Sequence, residues 1–279
     1  MNEECTTGCH HRRMQRHLGF GMTAMPHPTT TELAPLGERL EQLGYDELWA
    51  NDGQRGSGLA TLAAAAGHTS RIDLCVGVVP LSVRASSAIA DEASQLGLPM
   101  DRLVLGVGTG SGSSLAVVRE AIADLRELLP GVRLAVSALG PRMCFLGGQV
   151  ADVVLLNWAF PERIAWARER IADGAATAGR PIPRVACYVR VAIGPGAADR
   201  LAAEAARYQG RARPYARLFD AQEVALRGFP GIAAEDPAEV PGLLLPYLEA
   251  LDSCVVRALP ASDAVRDWLA VAEAARLTA

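Results

Sequence analysis

The residues best placed to do chemistry sit at the ends of short apolar runs. Gly106-Val107-Gly108-Thr109-Gly110-Ser111 closes one run with glycines and hydroxyls. Such a loop lets backbone N–H groups come close to an anion or a flat ring. Ser137-Ala138-Leu139-Gly140-Pro141-Arg142-Met143 closes the next. Pro141 suits a first helical position, which leaves the following N–H groups free. Those groups and the helix dipole suit a phosphate, and Arg142 adds charge. Asn51-Asp52-Gly53 ends another run and offers a carboxylate as a base or a hydrogen-bond acceptor. An N-cap or turn role accounts for Asp52 equally well. His27, between Pro26 and Pro28, either overhangs the same rim or is a solvated loop residue. Asn157 and Trp158 end a further run and are candidates for the substrate pocket with Asn51, Trp158 as a roof or as rim packing. Tyr188 stands in a long apolar run and joins Asp52 and His27 as a candidate proton relay.

Several chemistries are excluded or weak. All 27 basic residues are arginine, so a Schiff base, pyridoxal attachment and a Walker A loop are ruled out. The glycine loop misses the dinucleotide fingerprint, because the third required glycine is Ser111. There is no Gly-x-Ser-x-Gly elbow, HExxH or CxxC pattern. Cys5, Cys9, His10 and His11 lie in a polar lead, and no functional metal is expected there. A net charge of −4 gives no footprint for nucleic acid. No secretory segment and no apolar run long enough for a membrane span is read, so the expectation is a cytoplasmic protein with a small-molecule substrate.

Elements that would position these residues follow from the pattern. Residues 1–17 are polar and aperiodic and read as a flexible lead; 18–279 read as one domain. Apolar runs start near 18, 45, 72, 102, 132, 152, 184 and 252, and helical patterns separate them. Leu74-Cys75-Val76-Gly77-Val78-Val79 is apolar on both faces, as a strand of a parallel sheet is. Eight strand–helix pairs in a chain of 279 residues predict a single (β/α)8 barrel, a TIM barrel. Its active rim lies where strands end and βα loops begin. Residues 197–227 read as a long helical stretch broken near Pro214, 210–240 as the least regular region, and Ser262 as the cap of the last helix.

Five stretches in this order carry a resemblance: LGYDELWANDG (43–53), TSRIDLCVGVVPLSVR (69–84), DRLVLGVGTG (101–110), ALGPRMCFLGGQVADVVLLNW (138–158) and CYVRVAIG (187–194). Together they resemble the luciferase-like flavin- and deazaflavin-dependent oxidoreductases, above all the short bacterial members that use coenzyme F420. That resemblance implies a bulge with a non-prolyl cis bond at Gly77–Val78 behind the cofactor ring. It implies that Gly108, Thr109, Gly110 and Ser111 touch the ring or ribityl chain, and that Leu139, Gly140, Pro141, Arg142 and Met143 hold the phosphate. F420 is the implied cofactor, with FMN the alternative, and a homodimer is the family's common state. The chain departs from the pattern in two places. Gly53 stands where alcohol-oxidising members carry a histidine after the aspartate, which shifts the expectation toward reduction of an activated C=C or C=N bond. The family's long insertion is missing between Ser113 and Val132, leaving a short rim. An FMN-dependent monooxygenase or reductase, and a non-catalytic flavin-binding protein, are the alternatives.

Overall fold

A computed structural model describes residues 16–53, 56–110, 114–211 and 213–276. The Cys5–His11 group and Ser111 lie outside the described residues. The strands are β1 (His17–Thr23), β2 (Glu47–Asn51), β3 (Asp73–Pro80), β4 (Leu103–Gly108), β5 (Arg133–Ser137), β6 (Val153–Asn157), β7 (Arg184–Ile193), β8 (Ile232–Ala234) and β9 (Ser253–Ala258). Between them run α1 (Thr30–Gln42), α2 (Gly58–Ala66), α3 (Ser86–Gln95), α4 (Leu115–Leu128), α5 (Pro141–Val150) and α6 (Pro161–Thr177). After β7 come α7 (Ala197–Arg211), α8 (Arg213–Asp220) and α9 (Val224–Arg227), then α10 (Val240–Ala250) before β9 and α11 (Val265–Ala274) at the end.

Strands β1 to β7 and β9 are parallel, and the β6–β7 and β9–β1 pairings close them into the eight-stranded barrel read from the sequence. The ninth strand was not expected. β8 pairs only with Val191–Ile193, the upper end of the ten-residue β7, and stands outside the ring. It covers backbone that would otherwise be an open edge. The least regular region thus holds α8, α9 and this short strand. The last helix begins at Val265 with Ala264 as its cap; Ser262 sits just outside, accepting the Ala264 N–H at 3.2 Å. No described helix is long and apolar enough to cross a membrane.

Strand alternation builds two layers. One side of the strands, with the helices, forms the main apolar shell around Phe20, Leu48, Leu74, Leu105 and Val256. The other fills the barrel with Trp49, Cys75, Val104, Ala135, Leu155, Ala186, Tyr188 and Val255. The N-terminal end is stapled by a repeated device. Asp46, Asp152 and Asp252 each stand just before a strand and accept the N–H of the second residue of the neighbouring strand. The acceptors serve Leu18 at 2.8 Å, Leu134 at 2.9 Å and Val185 at 2.8 Å. Arg168 adds a two-pronged bond to Asp252, both arms at 2.8 Å. Buried Glu47 accepts from Trp49 Nε1 at 2.6 Å and faces Arg184 at 3.0 Å. These carboxylates fix strand register at the closed end and leave the opposite rim free for loops.

Candidate functional site

The β3–β4 wall is shaped by glycine. The Gly77–Val78 bond is cis, as the resemblance implied, and the β3–β4 register shifts between Val76 and Val79. A Cβ on Gly106 would lie 2.3 Å from Val76 O, and one on Gly108 2.6 Å from Ser137 Oγ and 2.9 Å from Val78. β4 therefore carries glycine where β3 bulges toward it. From across the barrel, the Tyr188 hydroxyl donates to Gly77 O at 2.9 Å. Tyr188 is buried under this wall and edge-on to Trp49, with ring centroids 6.0 Å apart. Burial pushes its phenol well above the usual range, with Arg257 pulling the other way. Its proton is committed to a main-chain oxygen, so the residue holds the wall.

The next two loops leave the same rim. Gly110 has φ +64, and a Cβ there would collide with the Ser82 side chain, so only glycine fits. Thr109 is half-buried beside it. Gly140 is the N-cap of α5 with extended backbone, Pro141 follows in the first turn, and a Cβ on Gly140 meets nothing within 4 Å. The α5 N-terminus is thus open above its free N–H groups. Arg142 is exposed, Met143 packs its stem on the core, and Leu139 O accepts from Arg163 at 3.2 Å.

Asp52 is tied up at the end of β2. It accepts the Gly58 N–H at 2.9 Å, at the start of α2, and pairs with Arg84, which also pairs with Glu92. Burial raises its pKa, offset only in part by the Gly58 N–H and Arg84. The aspartate is both a brace for α2 and a wall of the rim pocket. His27 is exposed on its loop and does not line that pocket.

The pocket, with a volume of about 940 Å³, opens at the ends of β1, β2 and β9 and against α7. Its lining includes Thr23, Asn51, Asp52, Arg200, Tyr208 and Arg257. Asn51 is one of its lining residues. Asn157 and Trp158 do not line it. Trp158 is fully buried with φ 52 and packs into an aromatic cover with Leu201, Leu218 and Phe219, to which Tyr208, Tyr215 and Leu139 add. The short rim after β4 is therefore matched by a cover from α7 and α8 over the β6–β7 side.

Two residues that sequence reasoning gave no role complete the rim. Arg190 is 1% exposed and Arg257 5%. Arg257 donates to Gly21 O at 3.3 Å, Thr23 Oγ1 at 2.8 Å and Asn51 Oδ1 at 2.9 Å. Arg190 donates to Asn157 Oδ1 and stacks 4.0 Å from the Trp158 ring. The signal was present as an arginine inside each of two apolar strands, YVRVAI and CVVRAL. A charged residue in a strand buried on both faces has to be held by something inside the barrel.

Comparisons with known proteins agree with this architecture. The luciferase-like monooxygenase family matches residues 14–118. The 5,10-methylenetetrahydromethanopterin reductase of Methanolobus tindarius is 28% identical over 199 residues, 58% of this chain and 61% of that protein. The chain thus spans less than two thirds of that relative's length. The coenzyme F420 dependent tetrahydromethanopterin reductase of Methanopyrus kandleri superposes with a TM-score of 0.71 at 19% identity, over 92% of this chain and 98% of that one. An F420-dependent secondary alcohol dehydrogenase, solved with an F420-acetone adduct, gives 0.73 at 16% identity, over 95% and 100%. At these identities the superpositions speak for the shared barrel, while the sequence match covers β1 to the start of α4. Taken together, residues 14–118 are similar to the luciferase-like monooxygenase family, and the whole chain shares its barrel with F420-dependent enzymes.

Proposed function

We propose that the protein is an oxidoreductase that binds a flavin-like cofactor, F420 first and FMN as the alternative, and reduces an activated C=C or C=N bond of a small organic substrate. The observation that carries this reading is the β3–β4 wall. Gly106 and Gly108 clear the space beside the Gly77–Val78 bulge, and Tyr188 holds the bulge from behind. A flat ring can lie against such a wall because the two glycines let β3 and β4 pack closely, leaving Val78 as the side chain beside it. The family match and the names of the relatives support the cofactor class.

The residues present fit such a group. Val78 with Gly108 and Thr109 would back the ring, Gly110 and Ser111 the ribityl chain. Leu139 to Met143 would hold the phosphate at the open α5 N-terminus, chiefly through main-chain N–H groups. The rim pocket, at about 940 Å³, has the size of a small-molecule site. When bound, the cofactor supplies the hydride chemistry. The chain supplies orientation: the ring against β3 and β4, the substrate in the pocket of β1, β2 and β9. Asp52 is the pocket carboxyl whose proton affinity burial raises, which suits it to proton transfer once the substrate loosens its hold on Arg84. Gly53 provides no histidine base beside it, which favours the reductive direction.

The test is a fluorescence titration of the purified protein with F420 and FMN, followed by turnover of the preferred reduced cofactor with enones and imines. Saturable binding of one cofactor with oxidation on an enone or imine is the expected result. Binding of neither overturns the proposal, and binding without turnover across the panel favours a non-catalytic carrier.

A further inference from the structure

Two guanidinium groups stand next to each other in the barrel mouth without a carboxylate. Arg190 on β7 and Arg257 on β9 are register partners. The partners of Arg257 are a main-chain carbonyl, a hydroxyl and an amide oxygen, all neutral. Arg190 has the Asn157 amide oxygen, the Tyr188 main-chain oxygen at 3.5 Å and the rings of Trp158 and Tyr208, at 4.0 and 5.0 Å. Its Nε and Nη2 are buried with no hydrogen-bond partner among the described residues.

Elsewhere several arginines of this chain that are only partly buried are paired with carboxylates. Arg133 is held by Asp73, Arg168 by Asp252, Arg184 by Glu47 and Arg84 by Asp52 and Glu92. Of the three acidic residues that line the pocket, Asp52 pairs with Arg84, Glu204 pairs with Arg207 at 2.9 Å, and Asp263 is exposed to solvent on the loop before α11. Burying a charge costs several kcal/mol even after relaxation, and a second like charge beside it adds to that cost. Burial lowers the proton affinity of Arg257; Tyr208 and Tyr188 offset part of that, and the neighbouring Arg190 charge adds a smaller lowering. The pair lacks an anion, and Arg257 lines the pocket where one can enter.

We infer that the rim pocket takes a substrate bearing an oxyanion, a carboxylate or a phosphate ester, seated on Arg257 with Arg190 behind it. This rests on the cofactor reading in one respect, the assignment of the anion to substrate. In the strand order, β7 and β9 stand across the ring from β3 and β4. A cofactor ring against the glycine wall with its phosphate at α5 leaves the arginine pair facing the substrate. Guanidinium forks suit both oxyanions by two-pronged bonding.

The experiment uses the whole protein and two probes, succinate and inorganic phosphate, titrated calorimetrically against sodium chloride of equal ionic strength, without cofactor. Saturable binding of at least one probe is expected. Asn51→Asp, which keeps the side-chain shape, brings a carboxylate to Arg257. It should raise Tm without ligand and weaken probe binding at least tenfold. Arg257→Met should abolish probe binding. Both variants should bind F420 or FMN within about threefold of the parent. The inference is overturned if the parent binds neither probe, if Asn51→Asp lowers Tm and leaves affinity unchanged, or if Arg257→Met loses the cofactor, which would assign the charge to the cofactor's phosphate. Failure of the parent to bind F420 and FMN sinks the cofactor reading alone, because the probe titration is read without either.

Discussion

Tyr188 and Gly77 meet across the width of the barrel: the phenol donates to the Gly77 carbonyl at 2.9 Å, and a Cβ on Gly77 would lie 2.4 Å from the phenol oxygen. The hydrogen bond and the missing side chain are one requirement seen from two ends. Leu155 at 2.7 Å and Trp49 at 2.8 Å close the remaining space. Gly77→Ala should therefore cost about 1–3 kcal/mol through overpacking and reduce cofactor affinity with it. Tyr188→Phe should cost about 1–2 kcal/mol by leaving Gly77 O unpaired, and change turnover by less than about tenfold. Urea unfolding and steady-state rates check both. A drop of several hundredfold at full stability in Tyr188→Phe would restore the phenol as a proton donor.

The α5 N-terminus gives a sharper variant. Gly140 has extended backbone and empty space around its missing Cβ, so Gly140→Asp can fold without a clash. An aspartate there caps the helix at least as well as glycine, and stability should stay level or rise by a few tenths of a kcal/mol. Its carboxylate would occupy the N–H groups assigned to the phosphate, and cofactor affinity should fall more than tenfold, about 1.4 kcal/mol. Arg142→Ala should do less, since that side chain is exposed. Equal affinity of Gly140→Asp and the parent would move the phosphate to another part of the rim.

At the closed end, Asp252 accepts from Val185 N–H and from both arms of Arg168. Asp252→Ala leaves a buried N–H and a cation without their acceptor. A loss of about 2–4 kcal/mol is expected, with cofactor binding intact at temperatures where the variant is folded. A change under 0.5 kcal/mol, on the scale of ordinary surface substitutions, would contradict the stapling role.

Glu41 gives a pH signature. Burial alone would raise its pKa, but three main-chain bonds from Ser70, Arg71 and Ile72, at 2.8, 2.5 and 2.8 Å, outweigh that and lower it. A carboxyl lowered on folding adds stability above its unfolded pKa, roughly 4.3, and loses it as pH falls through the folded value. Glu41→Gln should therefore be less stable than the parent at pH 7 by about 1–2 kcal/mol, a figure kept small for a half-exposed group. The difference should shrink as pH drops below about 4. A gap that stays constant from pH 7 to pH 3 would show that the carboxylate charge plays no part.

The barrel itself was legible because its causes are local and repeated. Buried parallel strands show as unbroken apolar runs, and glycine and proline mark where each stops. The loop at 106–110 was legible because backbone that must approach a neighbour closely excludes side chains, and 137–143 because Gly-Pro marks a helix start. The short β8 escaped because three residues carry no period, and only the long upper end of β7 gives them a partner.

What the sequence determined by itself was the order of the eight barrel strands, the rim on which candidate residues stand, and the absence of lysine chemistry. Tertiary structure decided the roles. Asp52 became a braced pocket carboxylate because Arg84 and the Gly58 N–H reach it from residues far along the chain or across a turn. Tyr188 became a support because Gly77, 111 residues away in sequence, offers its carbonyl. Trp158 became buried packing because α7 and α8 fold over the rim. Arg190 and Arg257, each a lone charge in an apolar run, became a pair only when the β7–β9 pairing set them in register. Burial, partners and net local charge are sums over residues distant in sequence, and only the closed barrel brings those residues together.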